Sequence, residues 1–434
     1  MRTDLVHAGA DELTYEIREI VEVAKKIEKL GQKISWENIG DPVAKGEPVP
    51  VWIKDIVVKT IQEDDNTFAY SPTKGLLETR EYIAYERNIE GGAQITADDI
   101  LFFNGLGDAI SKIYTYLNKN ARIIGPNPAY PTHSSAEAAH AGAPHITYNL
   151  DPHNNWYPDL NDLREKLKAN PQIAGILLIN PDNPTGMVYP QELIRKVVAI
   201  AKEFDLFMIS DEIYSNLFYG GIEHKKLASV IGDVPGIAMR GISKEFPWPG
   251  ARCGWIEFYN RDKDANFARY TKSLVDAKML EVCSTTLPQK VLPKVMSDTR
   301  YYPYLAERNT RYQKRSEYAH AELSTIPGVI IHKAYGGFYM TLVFEEGVLK
   351  EGQSLPIADQ KIKEIITPYL SEKKLDKRFV YNLLASTGTC VVPLSSGFNS
   401  TLYGFRFILL ETDEERFKNV IRTLKDSIAS YLAF

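Results

Sequence analysis

Short apolar runs recur through the middle of the chain, and each ends in a polar cluster or one rich in glycine and proline. The runs are ILFF from residue 100, RIIG from 122, ILLI from 176, LFMI from 206 and IAM from 237. Short continuous apolar runs of this kind are typical of strands that are buried on both faces. The stretch between the third and fourth runs, residues 190–204, has the spacing of an amphipathic helix that starts at Pro190. The pattern therefore predicts an α/β fold with a mostly parallel sheet flanked by helices.

The two ends of the chain predict a second, smaller α+β lobe. Residues 15–32 have the apolar spacing of a helix, and Thr412 with Glu415 predicts a capping box that starts a C-terminal helix. Helices and strands alternate from residue 305 to the end. We expect three parts: 1–49 as an N-terminal arm and helix belonging to the small domain, 50–304 as the large domain, and 305–434 as the C-terminal small domain.

The unusual polar clusters all follow predicted strands. Because the carboxyl ends of parallel strands open on one crevice, the loops after them converge there. We therefore expect Gly105, Tyr130, Asn183, Asp211 and Lys244 to line one site.

Composition narrows the classes of protein that fit this pattern. The 434 residues carry a formal net charge of −5, so no basic excess favours a nucleic-acid partner. The N-terminus lacks the apolar core of a signal peptide, and no apolar run has membrane-spanning length. The three cysteines show no metal-ligand spacing. We expect a cytoplasmic protein that binds neither metal, nucleic acid nor membrane.

The residues after the strands match the needs of pyridoxal phosphate. Its aldehyde needs an amine, as on Lys244, and its ring nitrogen needs a carboxylate, as on Asp211. Its phosphate favours backbone N–H groups at a helix start and an arginine. Each motif alone has an ordinary explanation: NPTG from Asn183 as a turn, Asp211 as a helix cap, and Lys244 as a solvated charge.

In their order, the strings NPDNPTG, SDEIY and SKEFPWPGARCGW resemble one family over nearly the whole chain. That family is the pyridoxal-phosphate enzymes of fold type I, the class I aminotransferases of the aspartate aminotransferase superfamily. The resemblance implies that Lys244 holds the cofactor aldehyde as a Schiff base and that Asp211 pairs with the ring nitrogen. Asn183 and Tyr214 would then hydrogen-bond the phenolic oxygen, and Tyr130 would stack on the ring.

The same resemblance implies a phosphate site and a dimer. The phosphate would be bound by Ser243, by Arg252 and by the backbone N–H groups of Leu106 and Gly107, which follow Gly105. Tyr70 matches the family tyrosine that reaches the phosphate of the neighbouring subunit, which implies a homodimer with shared active sites.

Substrate recognition is implied as well. Arg406 lies in an otherwise apolar strand pattern, and the resemblance makes it the partner of the substrate carboxylate, together with Asn183 and the backbone N–H of Gly40. The strings YEIR and NIGDP are similar to the alanine aminotransferase branch, in which Tyr15 and Arg18 approach the pocket. The branch implies transfer of an amino group from an alanine- or glutamate-type donor to a 2-oxo acid by a ping-pong mechanism.

Two glycines depart from the family pattern. Gly107 and Gly241 stand where relatives carry a hydroxyl residue, so we expect weaker binding of the phosphate. Three alternatives stay open from the sequence: an aspartate or aromatic aminotransferase, a lyase or decarboxylase on the same cofactor, and a regulatory protein of this fold. The last would need a basic helix-turn-helix domain.

Overall fold

The strands of the protein form one large sheet and two smaller ones. The computed structural model describes residues 5–13 and 16–433. Within these residues the strands are β1 Ser35–Trp36, β2 Ile100–Phe103, β3 Arg122–Asn127, β4 Thr147–Asp151, β5 Tyr157–Pro158, β6 Ile173–Ile179, β7 Phe207–Asp211, β8 Gly236–Gly241, β9 Gly254–Tyr259, β10 Val329–Ile331, β11 Tyr339–Phe344, β12 Thr389–Cys390, β13 Val392–Pro393 and β14 Gly404–Ile408.

Helices cover the sheets and connect them. In the described part of the chain they are α1 Glu16–Glu28, α2 Val51–Glu63, α3 Leu77–Ile89, α4 Leu106–Thr115, α5 Pro131–Ala141, α6 Leu160–Ala169, α7 Gln191–Glu203, α8 Ala265–Met279, α9 Thr286–Met296, α10 Tyr301–Leu323, α11 Gln360–Leu370, α12 Leu375–Thr387, α13 Leu394–Gly397 and α14 Glu414–Leu432. Over residues 5–13 and 16–433, none of these helices combines the length and the apolar character needed to cross a bilayer.

The large sheet has eight strands in the order β2-β9-β8-β7-β6-β3-β4-β5. The neighbours from β8 to β4 run parallel, and the pairs β2·β9, β8·β9 and β4·β5 are antiparallel. The five apolar runs coincide with strands of this sheet, namely β2, β3, β6, β7 and β8, and only Leu206 of the fourth run precedes its strand. The prediction of a mostly parallel α/β sheet is therefore confirmed.

Helices pack on both faces of the large sheet because its central strands are apolar on both faces. In β6, Ile176 and Leu178 belong to one hydrophobic core, whereas Leu177 and Ile179 belong to the other. Alternate side chains of a strand point to opposite faces, so one strand supplies both cores. Helix α7 packs into the first core, and helices α4 and α8 pack into the second. The two faces are thereby closed, and the crevice at the strand ends stays available.

A second unit is built around the antiparallel sheet β10-β11-β14-β13. The N-terminal segment joins it, because β1 pairs in parallel with β12. Helix α10 runs without interruption across the position near residue 304 where we expect the two domains to meet. The domain boundaries themselves stay predictions.

Two local predictions need correction. The C-terminal helix begins at Glu414, and its cap is Asp413, whose side chain accepts the N–H of Arg416. Thr412 lies one residue too early, so the predicted capping box is wrong. The first helix ends at Glu28 rather than near residue 32.

The turn Asn183–Gly186 is fastened to the small sheet. The hydroxyl of Thr341 on β11 donates to the carbonyl of Pro184 at 2.8 Å. The carbonyl of Gly186 accepts the N–H groups of Tyr335 and Gly336 at 2.8 and 2.9 Å. Gly186 has φ +73°, and a β-carbon there would lie 2.3 Å from the carbonyl oxygen of Tyr339. Only glycine fits this contact between the two units.

Two alanine substitutions at nearly equal φ test this contact. Gly221 has φ +74° and open space around it in the described part of the chain. We expect Gly221→Ala to lower the free energy of unfolding by about 1 kcal/mol, because it adds only backbone strain. Gly186→Ala adds a clash with backbone and should lower it by about 3 kcal/mol. Chemical denaturation of both variants checks this, and equal losses would contradict the contact.

Candidate active site

The loops after the parallel strands meet around a cavity of about 200 Å³. The cavity lies where α4 begins and where β6, β7 and β8 end. Candidate residues from five separate loops therefore share one space, and Tyr339 joins them from the small sheet. Its lining includes Leu106, Gly107, Tyr130, Asn183, Asp211, Tyr214, Ser243, Lys244, Arg252 and Tyr339.

The carboxylate of Asp211 is held from two sides. One oxygen accepts the backbone N–H of Ile213 at 3.1 Å. The other lies 3.2 Å from Nε2 of His133, whose Nδ1 is 3.4 Å from the hydroxyl of Tyr114. His133 is buried, so its ring has little freedom to turn away. The pair fixes the carboxylate where β7 ends, facing the cavity that it lines.

Sequence reasoning missed His133. It is one of two histidines in α5, the other being His140, and it comes three residues after Tyr130 with no spacing that marks a site. The only signal was its position in the helix that follows β3, whose carboxyl end opens on the predicted crevice.

The amine of Lys244 lies at the cavity and is oriented by the N-terminal segment. Its Nζ donates to the carbonyl oxygen of Gly40 at 2.6 Å. The same nitrogen lies 5.8 Å from the ring centroid of Phe338, within the range of a cation–π contact. The side chain is half-buried. Lys244 thus presents an amine to the same cavity as the carboxylate of Asp211.

The turn before α4 forms a cradle for an anion. Gly105 has φ +86°, and a β-carbon there would lie 2.3 Å from Nη2 of Arg252. The guanidinium of Arg252 therefore rests directly on the turn. The first N–H groups of the helix, at Leu106 and Gly107, have no acceptor within the helix and carry its positive dipole end. Backbone donors, a guanidinium and the hydroxyl residue Ser243 fit a phosphate group.

An amine, a carboxylate and a phosphate cradle around one cavity are the groups that pyridoxal phosphate requires. The residues present therefore fit this cofactor. Two aromatic residues are placed to complete the fit. Tyr130 lines the cavity, and its ring makes a T-shaped contact with His133 at 6.4 Å between centroids. Tyr214 lines it as well.

The two glycines that depart from the family pattern differ in their surroundings. No heavy atom of the described residues lies within 4 Å of a β-carbon built at Gly107. A β-carbon at Gly241 would lie 3.0 Å from the carbonyl oxygen of Cys253 on the neighbouring chain segment. A hydroxyl residue would therefore fit at Gly107, whereas Gly241 allows β8 and the segment that leads into β9 to approach closely.

Tyr339 is a second residue that sequence reasoning missed. Its hydroxyl accepts from the hydroxyl of Tyr214 at 3.3 Å. A β-carbon built at Gly40 would lie 1.8 Å from that hydroxyl, so Gly40 must be glycine for the ring to fit. Burial raises the pKa of Tyr214 well above its ordinary value, and its hydroxyl stays protonated. The string GGFY before β11 was the available signal, and its meaning depends on contacts from the other lobe.

Arg406 lies buried on β14, next to the cavity wall. Its Nη1 donates to Oδ1 of Asn183 at 3.3 Å, and its Nη2 donates to the carbonyl of Asn38. Its guanidinium carbon is 4.4 Å from the ring centroid of Tyr339. The structure thus brings Arg406, Asn183 and the segment that contains Gly40 to one side of the site.

Two predicted residues that the structure describes, Tyr70 and Arg18, lie at exposed positions and do not line this cavity. Tyr70 is 85% exposed, and Arg18 is exposed on α1. Tyr15 lies outside the described residues. The roles expected for all three stay predictions.

The site is distinguished by its chemistry, not by its size. A larger hollow of about 820 Å³ lies between α1, β1 and α14. Lys33, Thr389 and Arg416 help to line it, and none of the candidate residues described so far does. Among the described residues, no three histidine, cysteine, aspartate or glutamate side chains are grouped so that they could hold a metal ion.

Asp182 is a buried carboxyl group directly beside Asn183. Its Oδ2 accepts both the N–H and the hydroxyl of Thr185, at 3.0 and 2.5 Å. Its Oδ1 has no hydrogen-bond partner among the described residues. Burial raises its pKa from 3.8 to about 7, against the lowering effect of Thr185.

Comparisons with known proteins agree with the geometry. Residues 37–396 match the family model described as aminotransferase class I and II. The chain is 56% identical to an uncharacterised aminotransferase of Methanocaldococcus jannaschii over 432 residues, which covers 100% of both chains. It is 30% identical over 332 residues to the glutamate-pyruvate aminotransferase AlaA of Escherichia coli, covering 76% of this chain and 80% of that protein.

A solved structure gives the same result for the fold. The alanine aminotransferase of Pyrococcus furiosus superimposes with a TM-score of 0.83 at 27% identity. The match covers 98% of this chain and 99% of that one.

The raised pKa of Asp182 predicts how stability depends on pH. Between pH 4 and about 7 the folded protein keeps a proton that the unfolded chain has released. This contribution is therefore complete below pH 4 and is lost as the pH rises through about 7. Relative to Asp182→Asn, we expect the wild-type free energy of unfolding to fall by up to about 1.4 kcal/mol per pH unit across this range.

Denaturation curves measured from pH 4 to 7 check this expectation. Asp262→Asn is the control, because that carboxylate is exposed and its removal should leave the wild-type slope in place. Parallel pH profiles for wild type and Asp182→Asn would show that Asp182 is ionised in the folded protein.

Proposed function

The chain belongs to the class I and II aminotransferases, and from this premise we propose that it transfers the amino group of alanine or glutamate to a 2-oxo acid. The proposal rests on one observation: the amine of Lys244 and the carboxylate of Asp211 share a cavity with an anion cradle. The donor class is proposed from similarity to the glutamate-pyruvate and alanine aminotransferases.

We propose pyridoxal phosphate as the cofactor, held by the residues that fit it. Lys244 would bind its aldehyde, and Asp211 would pair with its ring nitrogen. Asn183 and Tyr214 would hydrogen-bond its phenolic oxygen, and Tyr130 would lie against its ring. Ser243, Arg252 and the N–H groups of Leu106 and Gly107 would hold its phosphate. When bound, the cofactor supplies an electrophilic carbon for the amine and a protonated ring that accepts electrons.

Lys244 has two tasks in this reaction. It anchors the cofactor until the donor amine takes its place, and its freed Nζ then moves a proton from the α-carbon of the donor. The carbonyl of Gly40 receives an N–H of this nitrogen and so limits where its lone pair can point. Asp211 keeps the proton on the ring nitrogen, and His133 keeps Asp211 in place.

Arg406 would orient the donor by its carboxylate, together with Asn183 and the N–H of Gly40. The rings of Phe338 and Tyr339 contact the charged groups of Lys244 and Arg406, at 5.8 and 4.4 Å from the ring centroids. The donor leaves as a 2-oxo acid before the acceptor binds, so the amino group passes through the enzyme in two half-reactions. Lys244 would serve both halves.

We also propose that the enzyme works as a homodimer. Tyr70 is 85% exposed, and Phe68 beside it is 76% exposed. Leu280 is 81% exposed in the segment that follows α8. Large apolar side chains this exposed are explained by a second subunit that covers them, with Tyr70 reaching the partner's phosphate site. The cytoplasmic location stays a prediction from the sequence.

Absorbance spectroscopy of the protein reconstituted with pyridoxal phosphate tests the function. We expect a visible band that alanine or glutamate discharges with one equivalent of 2-oxo acid. We expect Lys244→Ala to be folded, to bind the cofactor weakly and to show negligible turnover, while Lys202→Ala, at an exposed position, keeps wild-type activity.

Other outcomes of the same experiment would reject parts of the proposal. Discharge only by aspartate or aromatic amino acids would overturn the donor class. Release of ammonia or carbon dioxide would indicate a lyase or a decarboxylase. Near wild-type turnover of Lys244→Ala, or no band after adding the cofactor, would overturn the assigned site.

Mixing two variants, each of which we expect to be inactive in its own dimer, tests the shared site. In a dimer of Lys244→Ala with Tyr70→Ala, one site has both residues intact and the other has neither. Random exchange of subunits should therefore restore about a quarter of wild-type activity. Turnover after co-refolding checks this. Activity that stays at the level of the separate variants would show that Tyr70 does not act across subunits.

A further inference from the structure

Arg308 hydrogen-bonds the backbone at Lys244, the lysine that we propose binds the cofactor. It lies on α10, and its side chain is 1% exposed. Its Nη1 donates to two successive carbonyl oxygens, that of Lys244 at 2.8 Å and that of Glu245 at 3.0 Å. One guanidinium nitrogen therefore fixes the turn in which Lys244 leaves β8.

The other two nitrogens of this guanidinium bind Glu47, and Nη2 also donates to the hydroxyl of Tyr312 at 3.1 Å. Nε and Nη2 of Arg308 donate to the two carboxylate oxygens of Glu47 at 2.7 and 3.2 Å. Arg311 and the hydroxyl of Tyr312 donate to the same carboxylate. Burial by itself would raise the pKa of Glu47, but the two guanidinium groups leave it below its ordinary value. Glu47 is thus an anion whose position sets that of Arg308.

The segment that carries Glu47 also touches the other end of Lys244. Gly40 accepts from its Nζ, and Asn38 accepts from Arg406. Seven residues after Gly40, Glu47 acts on the lysine backbone through Arg308. Between them the segment is folded tightly, because the N–H of Glu47 donates to the carbonyl of Pro42 at 2.9 Å. One short loop therefore holds Lys244 by its side chain and, through Arg308, by its main chain.

We propose that Arg308 is a positioning residue for Lys244 and that Glu47 aligns it, so that the loop from Asn38 to Glu47 couples the substrate-carboxylate side of the site to the reactive amine. This inference rests on the proposed function and adds a part to it. A change at Gly40 or at Arg406 is transmitted to the main chain of Lys244 through the buried ion pair of Arg308 and Glu47. Breaking this pair would leave a buried charge without a partner. Lys244 keeps its direction after its amine has been freed.

Arg308→Lys keeps the positive charge. It removes the hydrogen bonds to the two backbone carbonyls, because an ammonium cannot reproduce the planar geometry of a guanidinium. Arg315→Lys is the matched control. Arg315 lies on the same helix, is buried, and donates to a single carbonyl, that of Leu409, at 2.8 Å. Both variants lose a buried guanidinium, and only one of them loses contact with Lys244.

Two measurements are compared between these variants. The first is the affinity of the cofactor-free protein for pyridoxal phosphate. The second is the single-turnover rate with alanine per bound cofactor, resolved into its saturating value and the alanine concentration at half-saturation. For Arg308→Lys we expect cofactor affinity and saturating rate each to fall by about 10-fold or more, with half-saturation little changed, because Arg406 is intact.

Arg315→Lys should stay near wild type in both quantities, even where its thermal unfolding shifts as much as that of Arg308→Lys. Equal values for the two variants would overturn the proposal. If Arg308→Lys does not fold, Glu47→Gln takes its place, since it keeps the size and one acceptor oxygen of Glu47. We expect the same two losses at smaller size, and wild-type values in that variant would overturn the positioning role.

The wild-type protein separates this inference from the proposed function. If no amino acid discharges its absorbance band, the proposed donor class has failed. The comparison of cofactor affinity still tests whether Arg308 positions Lys244, because this measurement requires no turnover.

Discussion

The parallel hydrogen bonding of β8, β7, β6 and β3 is the constraint on which the rest of the structure depends. Parallel neighbouring strands all end at the same edge of the sheet. Residues of different chemistry therefore meet there without being near in sequence. Asp211 and Lys244 reach one cavity because their strands are adjacent and codirectional. The apolar side chains of β6 pack into the cores on both faces of the sheet. This packing holds the edge of the sheet rigid beneath the site.

The sequence was sufficient to predict those parts of the structure that depend on the spacing of apolar residues and on the order of motifs along the chain. Apolar runs predicted five of the eight strands of the large sheet, and the carboxyl ends of β6, β7 and β8 bring Asn183, Asp211 and Lys244 to one cavity. The capping prediction at Thr412 was wrong because two neighbouring residues could both cap, and helix geometry selected Asp413. Helix ends depend on such one-residue differences, which a sequence pattern does not resolve.

The residues that support the site could not be predicted in this way. His133, Tyr339 and Arg308 act through contacts across 78, 125 and 64 positions of the chain. In sequence each is an ordinary helix or strand residue, and its function depends on the partner that folding brings to it. The residues that touch substrate or cofactor carry recognisable motifs because their chemistry restricts the residue type. The residues behind them are restricted only by shape and by the need to satisfy buried polar groups.

The cluster around Glu47 has a consequence for how this protein can change over evolutionary time. The carboxylate of Glu47 accepts from the guanidinium groups of Arg308 and Arg311, and the hydroxyl of Tyr312 completes the set. Losing Glu47 would leave the buried guanidinium of Arg308 without a counter-charge, whereas replacing the whole set by apolar side chains of similar volume need not destabilise the fold. The residue types at the four positions are therefore constrained jointly rather than one by one. We therefore expect a lineage that loses Glu47 alone to be destabilised, and these positions to vary less than the exposed residues around them.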